Sequence, residues 1–254
     1  MDKILEEIIE VIKVAGNKIL SAKNELIEAI YKEGRGNIVT KYDKEIELYL
    51  RDELKKIIPN SSFIGEEGDI IDNDNEYKFI VDPIDGTYNF YEDLNLSCIS
   101  IALLKNNKPY IGVCFNPYVN ELFYATKGNG AYLNNKRIYV SNKLLKDGIF
   151  FSGSASYYNE LKEETIINHS KLFKVANDYR RLGSCVIEMC HLAAGRAELF
   201  IEARLQLWDY AAVSLIIEEA GGKISTIDGQ ELKYDGACSI IASNNKEDYL
   251  KYLK

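Results

Sequence analysis

The chain has 254 residues, of which 46% are hydrophobic, and a formal net charge of −8. That length suits one large domain or two small ones, and the apolar content is enough for a sizeable core. The acidic excess argues against a nucleic-acid backbone or an anionic membrane as the main partner.

The first part of the chain is predicted to contain two helices and two strands. Apolar residues at helical spacing favour a helix over residues 3–30, and a second helix is expected from Asp43 to residue 57. The segments SSFIGEEG and EYKFIVD are typical of short strands, and the second is expected to stop at Pro83.

Residues 96–140 change to β-rich runs separated by Asn, Gly and Pro, which predicts a meandering antiparallel sheet. The second half mixes predicted strands at 149–153, 197–202 and 238–242 with predicted helices at 185–194, 209–220 and 245–253. This mixture favours a layered α/β (α+β) fold with large sheets. A single domain over residues 1–254 is expected, with sub-domains 1–145 and 146–254 as the alternative.

The stretch KFIVDPIDGTYNF places two acids, Asp82 and Asp85, where an apolar run ends. Pro83 fixes one φ angle, and Gly86 permits a sharp turn. Both acids and the intervening Ile84 carbonyl can then point toward one spot. The alternative is an Asp-Pro/Asp-Gly turn whose acids are solvated, and turn chemistry alone would favour it.

Three further acids lie at the ends of predicted elements. Glu66 follows the strand FIG, Asp43 lies beside Thr40 at a helix start, and Asp209 heads the apolar helix LWDYAA. Taken alone, Glu66 can be a solvated loop acid and either Asp an N-cap. Four or five carboxylates at one point would instead require neutralising cations, and oxygen ligands suit Mg²⁺ or Mn²⁺.

The segments GEE, DPIDGT and WDYAAVSLIIEEAGG, in this order and spacing, resemble the inositol monophosphatase family. This family belongs to the lithium-sensitive, Mg²⁺-dependent phosphatase superfamily that includes fructose-1,6-bisphosphatase. The resemblance runs from NIVTKYD through RRLGS and HLAAGRAELFIE to the final ASN. It implies the sugar-phosphatase fold, a layered αβαβα sandwich, with a metal-binding half and a substrate half. It also implies a homodimer and inhibition by lithium.

The resemblance assigns roles position by position. The family's metal ligands, for two or three Mg²⁺ or substituting Mn²⁺, are matched by Glu66, Asp82, the Ile84 carbonyl, Asp85 and Asp209. The catalytic positions are matched by Asp43 and Thr87, which orient the attacking water, and by Glu66. The substrate-binding positions are matched by Asp85, Gly86, Thr87, Glu202 and Lys32.

The implied function is hydrolysis of a small phosphorylated polyol or sugar by metal-activated water. Inositol monophosphate is the leading substrate because FIE supplies Glu202. Leu207, where the family commonly has Pro, and the added charge of Arg204 leave fructose-1,6-bisphosphate, NADP and 3′-phosphoadenosine 5′-phosphate as alternatives. A regulatory binding protein that retains the fold is the alternative of another class.

Other signals are interpreted structurally. The acidic segment 72–76 lacks the glycine and closing Glu of a calcium loop, and GNGAYL is typical of a hairpin turn. His191, Cys185 and Cys190 are expected to pack in the core, and Glu188 is assigned no role.

The remaining sequence features favour a cytoplasmic protein. The acidic start MDKILEEIIEVIKVAG does not fit a signal peptide, and no apolar run approaches the roughly 18 residues of a membrane span. The five cysteines form no CxxC pair and are interpreted as reduced thiols. With two histidines in the chain, zinc sites built on imidazole or thiolate are not expected.

Overall fold

The structure is a computed structural model that describes residues 2–22, 28–32, 38–68, 70–71, 75–154 and 158–253. The described α-helices are α1 Lys3–Ser21, α2 Lys41–Ile57, α3 Thr87–Tyr91, α4 Lys162–Phe173, α5 Cys185–Ala193 and α6 Leu207–Glu219. The described strands are, in chain order, β1 Ala29–Tyr31, β2 Ile38–Thr40, β3 Ser62–Gly65, β4 Ile70–Ile71, β5 Tyr77–Asp85, β6 Cys98–Lys105, β7 Lys108–Asn116, β8 Glu121–Thr126, β9 Ala131–Leu133, β10 Lys136–Arg137, β11 Ile149–Ser152, β12 Asp178–Arg180, β13 Leu199–Leu205, β14 Lys223–Thr226 and β15 Cys238–Ser243.

These strands form two large sheets and one small one. The larger sheet has eight strands in the order β10-β9-β8-β7-β6-β5-β3-β4, and its pairs are antiparallel except for β3 with β5. The second has five strands in the order β12-β11-β13-β15-β14, with β11 parallel to both its neighbours. The pair β1-β2 forms the small antiparallel ribbon.

Helices and sheets stack as alternating layers, and an apolar core fills each of three gaps. One core lies between the pair α1 and α2 and the large sheet, the next surrounds α5 and α6 between the two large sheets, and the third lies between α4 and the five-stranded sheet. Side chains along β5 alternate between the first two cores, as the two-residue period of a strand requires. The fold is therefore the expected αβαβα sandwich.

Helix α6 lies in the central layer and contacts strands of both large sheets. It packs closely on β7 at Gly112, where a Cβ atom would lie 2.3 Å from the Ala212 carbonyl oxygen. A side chain at position 112 would therefore push the helix away from the sheet.

Each large sheet contains a strand with a one-residue bulge, β5 in the eight-stranded sheet and β13 in the five-stranded sheet. Both bulges lie at the same end of the central helical layer. In β5, Asp82 pairs with Ser100 but Asp85 pairs with Cys98, so the strand has one extra residue. In β13 the pairing slips in the same way between Glu202 and Leu205. Bulges re-aim side chains and bend the strand that carries them.

The structure corrects several sequence predictions. The first helix ends at Ser21, and the last two residues of the expected helix, 29 and 30, belong to β1 because they pair with β2. Pro83 does not end its strand, since the bulge removes the need for a ladder N–H at that position. The expected helix over residues 245–253 is reduced to a 3₁₀ turn at Tyr249–Tyr252.

Several elements were missed by the sequence patterns, among them α4, β12 and β14. Helix α4 was not predicted because its solvent-facing side carries apolar residues, among them Ile166, which is 68% exposed. Its sequence therefore lacks the separate apolar and polar faces that indicate an amphipathic helix. The meander β6–β9 and the strands β11, β13 and β15 lie where they were expected. The suggested division near residue 145 falls between the two large sheets, and a single domain stays a prediction.

No helix within the described ranges combines the length and apolar content that a membrane span needs. The acidic segment 72–74 lies outside the described residues.

Candidate active site

One cavity of about 400 Å³ collects almost all the acids singled out in the sequence. Its walls include the expected site residues Lys32, Glu66, Asp82, Ile84, Asp85, Gly86, Thr87, Glu202 and Asp209. The remaining expected residue, Asp43, is fully buried behind Thr87. Ends of β5, β13, α5 and α6 thus supply side chains to one point although they are far apart in the sequence.

The two carboxylate oxygens of Asp43 accept hydrogen bonds from different residues at the start of α2. It is the third residue of the helix rather than the N-cap, and its Oδ2 accepts hydrogen bonds from Thr40 N at 2.7 Å and Thr40 Oγ1 at 2.6 Å. Its Oδ1 accepts from Thr87 Oγ1 at 3.1 Å. The capping box therefore fixes one oxygen and leaves the other for Thr87.

The β5 bulge orients the DPIDGT turn. Asp82 Oδ1 accepts from Ile84 N at 2.9 Å, and the Thr87 hydroxyl lies 3.0 Å from the Ile84 carbonyl oxygen. Gly86 has φ +83°, and a Cβ atom there would lie 3.0 Å from the Leu96 carbonyl oxygen. Glycine is required at this position because the backbone is left-handed and the neighbouring chain is close.

Asp85 is held by the N-terminus of α5, which belongs to the second half of the chain. Its Oδ2 accepts hydrogen bonds from the Ser184 hydroxyl and from Val186 N at 3.0 Å. Its Oδ1 accepts from Cys185 Sγ at 3.4 Å. These donors fix the carboxylate across the gap between the two large sheets.

Asp209 repeats the arrangement of Asp43 at the start of α6. It is the third residue of that helix, and its Oδ2 accepts from Gln206 N at 2.7 Å. Among the described residues, no donor reaches its other oxygen. One carboxylate oxygen therefore satisfies the helix terminus while the residue lines the cavity.

Glu66 lies just beyond β3 and is paired with the ammonium group of Lys32, whose Nζ is 3.1 Å from Glu66 Oε1. The same ammonium group pairs with Glu67. Glu47, which is buried on α2, accepts a hydrogen bond from Glu67 N at 2.8 Å. This chain of contacts fixes the turn that carries Glu66.

The electrostatics of the cluster favour a bound cation. Burial raises the pKa of Glu66 to about 7 and that of Asp43 to about 6. Burial and the neighbouring carboxylates also raise the pKa values of Asp82 and Asp209 well above their usual range. Burial alone would lower the pKa of Lys32, but Glu66 and Glu67 outweigh it and raise that pKa. One ammonium group therefore faces several mutually repelling carboxylates.

Glu202 lines the same cavity. Burial, with Glu188 and Asp85, raises its pKa to about 8, while Arg181 acts in the opposite direction. A Cβ atom on Gly153 would lie 1.8 Å from Glu202 Cδ, so the carboxylate fills the space that this glycine leaves.

Arg204 pairs with Glu160 and not with Glu202. Its guanidinium lies over the ring of Tyr158 at 4.4 Å, and its Nη1 is 3.0 Å from Glu160 Oε1. Its backbone has φ +57°, at the bulge of β13. The bulge thus separates the two side chains and leaves Glu202 facing the cavity.

Sequence reasoning missed several residues of the cavity wall, among them Glu188 and Cys185. Glu188, assigned no role, is 1% exposed and accepts hydrogen bonds from Leu182 N and Gly183 N, so it holds the loop that precedes α5. Cys185, expected in the core, lines the cavity. The sequence does contain an indication that Glu188 has a role, because it is the lone acid in the apolar helix CVIEMCHLA. The other two residues expected in the core, Cys190 and His191, lie outside the cavity wall.

Comparisons with known proteins agree with one another. The model of the inositol monophosphatase family matches residues 1–254. The chain is 35% identical over 250 residues to the Nus factor SuhB of Escherichia coli K12, covering 96% of this chain and 92% of that protein. It resembles the solved IMPase of Thermotoga maritima with a TM-score of 0.89 and 30% identity, covering 100% and 97% of the two chains. A solved IMPase/NADP phosphatase in complex with Mg²⁺ and phosphate has a TM-score of 0.86 and 25% identity, covering 99% and 95%.

Proposed function

The chain belongs to the inositol monophosphatase family, and we propose that it is a Mg²⁺-dependent phosphomonoesterase that hydrolyses inositol monophosphate or a related phosphorylated polyol or sugar. The single observation that carries this proposal is the convergence of Glu66, Asp82, Asp85 and Asp209 on one cavity. Their raised pKa values mean that the cavity binds protons or cations in preference to remaining a bare cluster of charges.

The donor chemistry of the cavity fits Mg²⁺. Carboxylate and carbonyl oxygens are the ligands that Mg²⁺ prefers, and Mn²⁺ accepts the same set. The residues that would hold two or three ions are Glu66, Asp82, the Ile84 carbonyl, Asp85 and Asp209. Bound Mg²⁺ would supply Lewis-acid polarisation of a phosphate ester, which eases departure of the alcohol.

Thr87 and Asp43 are proposed to orient the attacking water. The ionised Asp43 carboxylate accepts a hydrogen bond from the Thr87 hydroxyl. The Thr87 oxygen is then free to accept a hydrogen bond from a water in the cavity. Asp43 is a positioning residue in this scheme because it lies behind Thr87. Glu66, nearer to the cavity than Asp43, serves both as a cation ligand and as an acceptor for the water's proton.

Recognition of the substrate is proposed to use several residues of the cavity wall. The backbone N–H groups of Gly86 and Thr87, with Lys32 nearby, would bind the phosphate, and Asp85 lies beside them. Glu202 would accept hydrogen bonds from hydroxyl groups of the polyol. Because Arg204 is engaged by Glu160, we favour a monophosphate over fructose-1,6-bisphosphate, NADP or 3′-phosphoadenosine 5′-phosphate. A homodimer is the assembly that the family resemblance supports, and the cysteine pattern supports a cytoplasmic location.

A binding role is the second candidate function. It is favoured by the name of the relative from Escherichia coli, a Nus factor, which is said of that protein. The complete acidic set argues for the enzyme, since a protein that only binds a partner has no need of buried carboxylates around a cavity. Phosphatase activity and partner binding can be distinguished, because partner binding requires neither Mg²⁺ nor Asp209.

The experiment is a phosphate-release assay over a panel of the four candidate esters. We expect hydrolysis with Mg²⁺, abolition by a chelator and restoration by added Mg²⁺. Asp209→Asn should lower kcat by at least about 10²-fold, the upper scale for altered partners of metal ligands. Asp147→Asn, which changes an exposed acid outside the cavity, is the matched control. Undiminished turnover in chelator, or no turnover on any ester, would overturn the proposal and leave the binding role.

A further inference from the structure

A cysteine thiol lies among the carboxylates of the cavity. Cys185 lines the wall, and its Sγ is 3.4 Å from Asp85 Oδ1. Ligand atoms of Asp85, Cys185 and Asp209 all lie within 4.8 Å of one another. That spacing allows the three side chains to contact one ion at the same time.

Cys185 is distinct from the other four cysteines, all of which are in the described part of the chain. Cys98, Cys114 and Cys190 are buried, and Cys238 is partly exposed but outside the cavity wall. Cys98 Sγ approaches Asp85 Oδ2 at 3.7 Å, although Cys98 does not line the cavity. Cys185 is therefore the thiol that an ion in the cavity would meet.

A second observation points to a cation at this place. Asp82 is 1% exposed and lines the same cavity. Its Oδ1 accepts from Ile84 N, but no donor among the described residues reaches its Oδ2. Because Asp82 lines the cavity and its Oδ2 has no donor among the described residues, this oxygen is available to a cation in the cavity.

We propose that Cys185, Asp85 and Asp209 form a binding site for a thiophilic divalent cation such as Zn²⁺ or Cd²⁺. Three protein ligands would leave a fourth position for water. On binding, the S–H bond of Cys185 breaks, a sulfur–metal bond forms, the proton passes to solvent, and no group is oxidised or reduced. This site revises the expectation, drawn from the sequence, that a zinc site containing thiolate is absent.

Overlap with the carboxylates makes the site competitive with Mg²⁺. Mg²⁺ prefers oxygen and gains little from sulfur, whereas thiolate selects softer ions. A thiophilic cation would therefore displace Mg²⁺ at Asp85 and Asp209 and inhibit the chain's proposed hydrolysis. This competition rests on the proposed function, but the cation site itself does not.

The test is a titration of the metal-free full chain with Cd²⁺, followed by the ultraviolet charge-transfer absorption of a thiolate–Cd²⁺ bond. We expect one saturable band in the wild type that Cys185→Ser and Cys185→Ala both lose. Cys238→Ser, which removes a partly exposed thiol outside the cavity, should retain it. Asp209→Asn should weaken Cd²⁺ binding, and excess Mg²⁺ should shift the titration to higher Cd²⁺.

Each outcome bears on the site directly. A band that persists in both Cys185 variants, or that is missing in the wild type, would overturn the proposal. Thermal unfolding of each variant shows whether the fold is retained, and Cys185→Ala provides a second test if Cys185→Ser does not fold. Because absorption requires no turnover, an intact band in a chain without phosphatase activity would refute the proposed function alone. Normal Mg²⁺-dependent hydrolysis without a band would refute this inference alone.

Discussion

The hydroxyl of Thr87 lies 3.1 Å from Asp43 Oδ1, although 44 positions separate the two residues in the chain. Thr87 faces the cavity, and Asp43 lies behind it with its other oxygen fixed by the start of α2. The helix terminus thus orients the hydroxyl group through the carboxylate.

The first prediction concerns this pair. Thr87→Ala should lower kcat by about 10²- to 10⁴-fold, the range for a positioned proton-transfer group, with little change in KM. Thr87→Ser keeps the hydroxyl and should retain most of the rate, so it is the matched control. Steady-state kinetics with Mg²⁺ provide the measurement. Equal losses in both variants would show that the methyl contact, and not the hydroxyl, is what matters.

The second prediction concerns lithium. Li⁺ should inhibit turnover by occupying a cation position among Glu66, Asp82, Asp85 and Asp209 after hydrolysis and retaining phosphate. Because it acts on a complex formed after substrate binds, inhibition should be uncompetitive with substrate. The measurement is initial rate against substrate at several Li⁺ concentrations, with the same concentrations of Na⁺ as control. A rate that Li⁺ leaves unchanged would contradict this prediction without affecting the phosphatase proposal.

The third prediction concerns selectivity at Glu202. Glu202→Gln should lower kcat/KM for inositol monophosphate by about tenfold or more, the scale of one lost charge-assisted hydrogen bond. Fructose-1,6-bisphosphate should be affected less, since the negative charge that repels its second phosphate is removed. Both substrates are measured side by side above about pH 8, where the Glu202 carboxylate is ionised despite its raised pKa.

Glu160→Gln is the control for that experiment, because it removes the partner of Arg204 and leaves Glu202 in place. An exposed ion pair contributes little, so its effect on the monophosphate should stay within about twofold. Equal, small effects of Glu202→Gln on both substrates would show that Glu202 does not recognise the substrate.

The fourth prediction concerns the pH dependence of stability without metal. Burial raises the pKa of Glu66 and Glu188 to about 7 and that of Glu202 to about 8, against 4.5 for an ordinary Glu. Between about pH 4.5 and 8 the folded state therefore binds more protons than the unfolded state, so stability falls as pH rises through this window. The Tm of the chelated protein should be higher at about pH 5.5 than at about pH 8.

Mg²⁺ should reverse this trend, because the bound cation replaces the protons and stabilises the ionised carboxylates. The increase in Tm on adding Mg²⁺ should therefore be larger at the higher pH. Glu202→Gln, which removes one of the titrating groups, should flatten the pH dependence of the chelated protein. A Tm that rises with pH over this window would contradict the assigned directions.

Local chemistry in the sequence singled out several acids of the candidate site, but their roles were assigned from the family resemblance. Asp82 and Asp85 were singled out because Pro83 and Gly86 restrict their turn, and the structure brings both to one cavity. Cys185 could not be found this way, since a thiol in an apolar helix has the same pattern whether it faces a core or a cavity. Which face it presents depends on the contact of α5 with Asp85, a residue from the other half of the chain.

The secondary structure likewise depends partly on local sequence and partly on contacts with residues distant in the chain. The strands β5 and β6 were predicted from near-continuous apolar runs, which arise because each strand separates two apolar cores. The strand β1 was not predicted from the sequence, because Ala29–Tyr31 is extended through its pairing with β2 and not by its own composition. The passage of β5 through Pro83 likewise depends on the bulge opposite β6.

The close packing of α6 on Gly112 has a consequence for how the chain is synthesised. The helix that carries Asp209 docks on β7 only if its backbone reaches the sheet at Ala212, and α6 leaves the ribosome long after β5 and β7. Until then the nascent chain has Asp82, Asp85 and the N-terminus of α5 but not Asp209. The proposed cation site is therefore complete only once Asp209, on the docked α6, has joined Asp82 and Asp85.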